Sequence, residues 1–393
     1  MVKPWDTALI GDFLDFKNGL NKGKEFFGYG TPIVNYTDVY KNRGLKKADI
    51  RGKVCLTPDE IHRFDVRKND VFFTRTSETP DEVGMSSVLL ENVENGVFSG
   101  FVLRGRPKND MFVPEYCKYC FSTEAVRNAI ITGCTYTTRA LTNGKQLSAI
   151  ELPVPPKPEQ EAIAEALSDI DALIVNLEKL IAKKKAIKQG AMQELLTGKR
   201  RLPGFDKEWT NLRLKELCDI EMGQSPDSRY YSSSEGVPLV QGNADIENRQ
   251  TIIRFYTKSI TKKAAKGDII FTVRAPVGNV AYAMFDCCIG RGVCALQSGS
   301  DFLYHLLVFK QDMWSKVSSG STFDSINSDT LCNTMFFVPA DEKEQSTIAR
   351  ILTDMDEEIK ILGNRLIKTK NIKAGMMSEL LTGRIRLIDK EDA

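Results

Sequence analysis

Histidine is scarce in this sequence: His62 and His305 are the two in 393 residues. Two are too few for most histidine-dependent catalysis or for a histidine-rich metal centre. His305 lies inside the apolar stretch FLYHLLVF, where it reads as a structural residue. No GxxxxGKS/T loop occurs, so nothing offers a cradle for nucleotide phosphates. The nine cysteines include one CxxC, Cys117 to Cys120, with no second pair to complete a tetrahedral zinc site. Cys287, Cys288 and Cys294 fall in a strand-like stretch and fit small core residues, and no metal ligands are assigned. No run of about 18 apolar residues could span a bilayer, and the start MVKPWDTALIGDF lacks the apolar segment of a secretory signal. With an odd cysteine count and no export signal, reduced thiols and a cytoplasmic location are expected. The net charge of +2 does not by itself announce a nucleic-acid partner; any basic surface has to come from local arrangement.

Two near-misses complete the absences. Phe26-Phe27-Gly28-Tyr29-Gly30 fits the FxGxG spacing of a methyltransferase cofactor loop, which must follow a buried strand and open a helix. Here NKGKE precedes it, Pro32 follows at once, and the companion Asp/Asn-Pro-Pro-Tyr/Phe tetrapeptide is missing, so a turn is the better reading. Pro80-Asp81 and Pro226-Asp227 have no Glu-x-Lys or Asp-x-Lys at a suitable distance downstream to build a nuclease site. No catalytic residue is assigned.

What the sequence does contain is a repeat. Glu159 to Leu202 and Glu344 to Leu387 align without a gap, and about half of the positions are identical. Gln160 meets Gln345, Asp169 meets Asp354, Asp171 meets Asp356, and Gly198 meets Gly383. The first copy places Ile163, Leu167, Ile170, Ile174, Leu177 and Ile181 at alternating spacings of four and three. The second places Ile348, Leu352, Met355, Ile359, Leu362 and Leu366 at the matching positions. That rhythm makes a narrow apolar seam, the mark of a coiled coil; two ordinary core helices are the plainer alternative. The seam slips at Lys184, Lys185 and Lys188, and again at Thr369 and Lys370. Pro158 suits a first helical turn, and Gly198 and Gly383 suit left-handed helix ends. At about 1.5 Å per residue each helix should run roughly 60 Å.

Around the helices lie two blocks that echo each other. In residues 1–152, strands are expected at Val71–Thr74, Ser86–Leu90 and Val97–Leu103, and a helix from Pro114 to Ile131. The proline-rich Leu152–Pro158 forms a stiff hinge. In the second block, GVPLVQGNADI resembles GTPIVNYTDV, and KGDIIFTVR resembles KNDVFFTRT. A helix candidate runs from Asp301 to Val317, and SGSTF at Ser319–Phe323 matches TGCTY at Thr132–Tyr136. The domain assignment is 1–152, a long helix in 153–203, a second block in 204–337, and a second long helix in 338–393. The expected fold is α+β: two tandem mixed α/β domains, each followed by a long helix. The two helices pair as an antiparallel coiled coil with pseudo-twofold symmetry.

These features together resemble a specificity subunit of a type I restriction–modification enzyme, over essentially the whole chain. The resemblance rests on the VPPKPEQ and VPADEKEQ helix starts, the two ELLTG ends and the LPGFDKEW opening of the second block. It implies two target-recognition domains that each read one half of a split, asymmetric double-stranded DNA site. It implies paired helices that fix the spacer and dock two modification subunits. Those subunits bind S-adenosylmethionine and methylate adenine; restriction subunits add ATP- and Mg-dependent translocation and cleavage. No cofactor is then expected in this chain, and no membrane.

Base edges are read by arginine on guanine and by asparagine or glutamine on adenine. Candidate readers are Arg75, Thr76, Arg104 and Arg139 in the first block, and Gln241, Asn243, Arg274 and Arg291 in the second. Lys41, Arg43, Lys46 and Lys47, with Lys258, Lys262, Lys263 and Lys266, are candidate phosphate contacts. A coiled-coil scaffold without DNA specificity, and a methyltransferase in its own right, are the alternatives from other classes.

Overall fold

A computed structural model describes residues 5–318 and 325–388. The chain divides into two compact units. One comprises Met1–Leu177 with Arg365–Ala393, and the other Glu178–Asn364. Each unit thus holds one globular block and a portion of both long helices.

In the first unit, Asp6–Leu9 pairs antiparallel with Glu151–Val154, so the proline-rich hinge begins as a strand. A five-stranded sheet follows in the order Leu14–Asn18, Val102–Pro107, Val71–Thr74, Ser86–Leu89, Gly44–Leu45. The Phe26–Gly30 stretch forms no helix-opening loop. It leads into strand Phe27–Val34, which pairs with Gly52–Val54 across a register shift between Phe27 and Thr31.

Two expected elements of the first unit are broken in the structure. The Val97–Leu103 strand is two strands, Val97–Phe98 and Val102–Pro107, because Ser99–Phe101 turns: the Ser99 hydroxyl accepts from the Phe101 N–H at 3.3 Å. The Pro114–Ile131 helix is two short 3₁₀ turns followed by an α-helix, Glu124–Gly133. Thr123 restarts it by accepting from the Val126 N–H, a threonine N-cap that apolar spacing does not reveal.

The second unit repeats the frame. Trp209–Arg213 pairs with Met335–Pro339. Asp219–Met222, Val293–Gln297 and Ile269–Thr272 lie side by side as Leu14–Asn18, Val102–Pro107 and Val71–Thr74 do. The registers coincide too: Val102 faces Thr74, and Val293 faces Thr272. The Asp301–Val317 helix is interrupted at Lys310, giving Asp301–Phe309 and Gln311–Ser318. Ser319–Phe323 lies outside the described residues.

The long helices span Lys157–Leu195 and Glu342–Leu380, 39 residues each. Their starts are anchored alike. Gln160 donates to the Met111 and Pro155 carbonyls and accepts from the Val113 N–H; Gln345 donates to the Pro339 carbonyl. Glu344, almost fully buried, takes a bidentate pair from Arg201, while Glu159 accepts from the Leu387 and Ile388 N–H groups. Their ends match as well. Gly198 (φ +72°) and Gly383 (φ +70°) close the helices in the left-handed conformation, each packed on a tryptophan, Trp209 and Trp5 respectively. The first core therefore combines Ile163 and Leu167 with Leu380 and Leu381, and the second combines Ile348 and Leu352 with Met192, Leu195 and Leu196. In each unit the start of one helix meets the end of the other, so the paired segments run antiparallel. All nine cysteines are unbridged, and among the described residues no helix is long and apolar enough to cross a membrane.

Candidate DNA interface and helix pair

Strands that end together bring their following loops together, and this is how the candidate readers gather. In the first unit Arg75 follows Val71–Thr74 and donates through its backbone to the Phe101 carbonyl at 2.9 Å. Thr76 opens the strand Thr76–Ser77, which pairs with Ala140–Leu141, so exposed Arg139 in the adjoining hairpin lies at the same end. Arg139 approaches Glu78 at 4.0 Å, an exposed pair worth little in solvent.

Arg104 does not join them. It sits mid-strand, 4% exposed, donating to the Asp65 carboxylate and carbonyl and lying over the Phe98 ring. Arg106 completes this network by pairing with Asp65 and with buried Asp70. Burial lowers the Arg104 pKa, whereas the Asp70 hydrogen bond raises that of Arg106. A guanidinium so enclosed reaches no base edge, and Arg104 is a structural residue.

Lys41, Lys46 and Lys47 are exposed. Arg43 is half-buried, donating to Ser122 Oγ at 2.8 Å.

In the second unit Gln241 and Asn243 occupy the turn after Val237–Val240. The Asp245 carboxylate shapes that turn by accepting from the N–H groups of Gln241 (2.7 Å) and Gly242 (3.2 Å). Both side-chain amides are oriented: Tyr231 donates to Gln241 Oε1 at 2.9 Å, and Asn279 donates to Asn243 Oδ1 at 2.6 Å. Exposed Arg274 begins the loop that carries Asn279. Exposed Arg291 is fixed through its backbone, which donates to Ser225 Oγ at 3.1 Å. Lys258 and Lys262 pair with Glu235 and Glu221, each at 2.6 Å; Lys263 and Lys266 are exposed.

Along the helices, Ile163, Leu167, Leu177, Ile348 and Leu352 are buried, and Ile170, Ile174, Ile181, Met355, Ile359, Leu362 and Leu366 are half-buried. The register slips have a physical counterpart. Lys188 pairs with Asp356, and Lys373 with Asp171, so the same lysine of each repeat meets the same aspartate of the other. Each aspartate sits beside a side chain from its own unit's globular block. Tyr119 donates to Asp171 at 2.9 Å and touches Ser168; His305 bonds Thr353 Oγ1 through Nε2 at 2.9 Å and lies 3.9 Å from Asp356. Burial, reinforced by Lys188, pushes His305 down to about 4, so near neutrality it is uncharged and makes no ion pair with Asp356. These polar partners were missed in the sequence, although Asp171/Asp356 and Lys188/Lys373 are identical in both copies.

The type I restriction modification DNA specificity domain matches residues 2–189 and again 206–371. The chain belongs to that family. Among its relatives, the putative type I restriction enzyme MjaX specificity subunit of Methanocaldococcus jannaschii is 28% identical, over 98% of this chain and 94% of its own. The EcoKI specificity subunit of Escherichia coli is 27% identical over 42% of this chain and 36% of its own. The same fold occurs in the S subunit of a type I system from M. genitalium (TM-score 0.63, 15% identity, 96% of both chains). It occurs also in the HsdS subunit from Thermoanaerobacter tengcongensis (TM-score 0.51, 22% identity, 97% of both chains). The doubled family match falls on the two blocks and their helices, the division that the internal repeat carries.

Proposed function

We propose that each globular block of this specificity-family chain reads one half of a bipartite, asymmetric DNA site. The paired helices set the spacer and dock two modification subunits. One observation supports this reading above the rest: a single strand frame, kept in both blocks, holds two different sets of polar side chains at the ends of matching strands. Arg75, Thr76 and Arg139 stand in one, and Gln241, Asn243, Arg274 and Arg291 in the other. A frame that keeps its geometry while exchanging its loop chemistry suits two readers of unlike sequence. Lys41, Arg43, Lys46, Lys47, Lys263 and Lys266 are the proposed phosphate contacts, with Lys258 and Lys262 released from their surface partners on binding. The chain itself is non-catalytic on this reading. S-adenosylmethionine, ATP and Mg belong to the modification and restriction subunits, and the complex works in the cytoplasm.

Exchanging residues 1–152 for the first block of another family member tests the division. The expected result is a modified motif changed in one half only. A change in both halves, or in neither, contradicts the assignment of one block to one half-site.

A further inference from the structure

One turn recurs in both blocks with the same clamp and a different tip. In the first block it is Ser99-Gly100-Phe101, in the second Gly290-Arg291-Gly292, each leading into the strand that starts at Val102 or Val293. Gly19 and Gly223 hold the two turns from behind. A Cβ on Gly19 would stand 2.1 Å from the Ser99 carbonyl oxygen, and one on Gly223 would stand 2.2 Å from that of Gly290. No other residue permits that approach. The first turn is further fixed by hydrogen bonds from Gly100 N–H to Leu20 O (2.7 Å), Val102 N–H to Ser99 O (3.0 Å) and Arg75 N–H to Phe101 O (2.9 Å). The second has the corresponding bonds from Val293 N–H to Gly290 O (3.1 Å) and Val273 N–H to Gly292 O (2.9 Å).

In each turn one large side chain is exposed among buried neighbours. Ser99, Gly100 and Val102 are buried while Phe101 is 58% exposed; Gly290 and Gly292 are buried while Arg291 is exposed. A rigid, clamped turn that shows a phenyl ring to solvent gains nothing from it in folding. The ring stays largely exposed, as it is in the unfolded chain, so its apolar area stays available to another apolar group, and covering it would be favourable.

We infer that Phe101 is a specificity-determining residue of the first half-site, packing on the 5-methyl group of a thymine in the major groove. This rests on the proposed reading of DNA by the first block. A phenyl ring has no donor or acceptor for a base edge, and the thymine methyl is the one apolar feature that the major groove displays. Arg75 braces the same turn, its guanidinium 3.4 Å from the Gly100 carbonyl, so a polar and an apolar contact are presented side by side. In the second block Gly292 takes the place of Phe101, and the exposed side chain of the turn is Arg291, one position earlier, so that turn reads a different base, consistent with guanine.

The test uses the full chain assembled with its modification subunits and duplexes carrying the motif found by base-modification sequencing. Replacing each thymine of the first half-site in turn by uracil removes only the methyl group. The expected result is one position where uracil weakens wild-type binding about fourfold, the value of one buried methyl. Phe101→Ala loses a similar factor on thymine and ceases to distinguish thymine from uracil; Phe101→Leu keeps part of the distinction. Thermal melting checks that the variants fold. A Phe101→Ala complex that still discriminates as the wild type does, a wild type indifferent to uracil at every position, or a first half-site without thymine on either strand overturns the inference and leaves half-site reading standing. The absence of any motif defeats both.

Discussion

At the scale of single residues, the sharpest distinction lies between arginines that brace the fold and arginines that face solvent. Arg104 and Arg106 share Asp65 and Asp70, and Asp70 is 1% exposed. Removing one member of a buried charged network leaves its partners uncompensated, which costs about 3 kcal/mol or more. Asp70→Ala should therefore lower the thermal stability of the first unit by that amount and leave the surviving protein's sequence preference unchanged. Arg291→Ala should do the reverse: stability within about 0.5 kcal/mol of wild type, with relaxed specificity at one position of the second half-site. Calorimetry and motif sequencing on the same two variants separate the roles. The sequence places all of these arginines equally after apolar strands. Arg104 reads as a solvent-facing candidate in the sequence because the residue that neutralises it, Asp65, is 39 positions away in the chain.

His305 gives a second residue-scale prediction. Its pKa is depressed in the folded chain to about 4, from an unperturbed 6.5, so the unfolded state binds the extra proton between those values. The stability that its neutral form contributes is complete above pH 6.5 and is lost as pH falls towards 4, up to about 3 kcal/mol. His305→Gln, which keeps a group able to bond Thr353, should flatten the stability profile in that window relative to wild type. Chemical denaturation at a series of pH values measures the difference. An identical pH dependence in the variant would mean that the histidine is not buried neutral.

At the scale of elements, the helices were legible and the irregular segments were not. The four-three spacing, the Gln160 and Gln345 starts and the Gly198 and Gly383 ends all lie within one repeat, so inspection of the sequence suffices. Strand Val71–Thr74 is likewise an uninterrupted buried run. The 3₁₀ turns at Tyr116–Lys118 and Cys120–Ser122 were hidden, because burial of Tyr116, Tyr119 and Phe121 depends on contacts distant in sequence. Lys188 reads as a slip in the seam for the same reason: its partner Asp356 lies on the other helix, as Asp171 does for the matching Lys373. Those two pairs are half-shielded links, and each fixes which turns of the two helices face one another. Asp171→Lys should destabilise the first unit by about 1–3 kcal/mol, and the double exchange Asp171→Lys with Lys373→Asp should restore much of the loss. A double variant no better than the sum of its singles would show that the pair does not set the helix register.

At the scale of the whole molecule, the chain is one design used twice: a strand frame, a set of loops, and a helix that starts on one block's core. On the proposed reading the helices act as a ruler, so inserting four residues, about 6 Å, within both helices should lengthen the spacer between half-sites or abolish activity. An unchanged spacer would contradict the ruler. The measurement that bears most directly on the central claim is base-modification sequencing of a methylation-free host that expresses this chain with its modification subunit, against the subunit alone. The account predicts a split, asymmetric adenine-methylated motif that appears only when the chain is present. A stable complex of the two proteins that produces no such motif would contradict it and leave the chain a scaffold without sequence specificity.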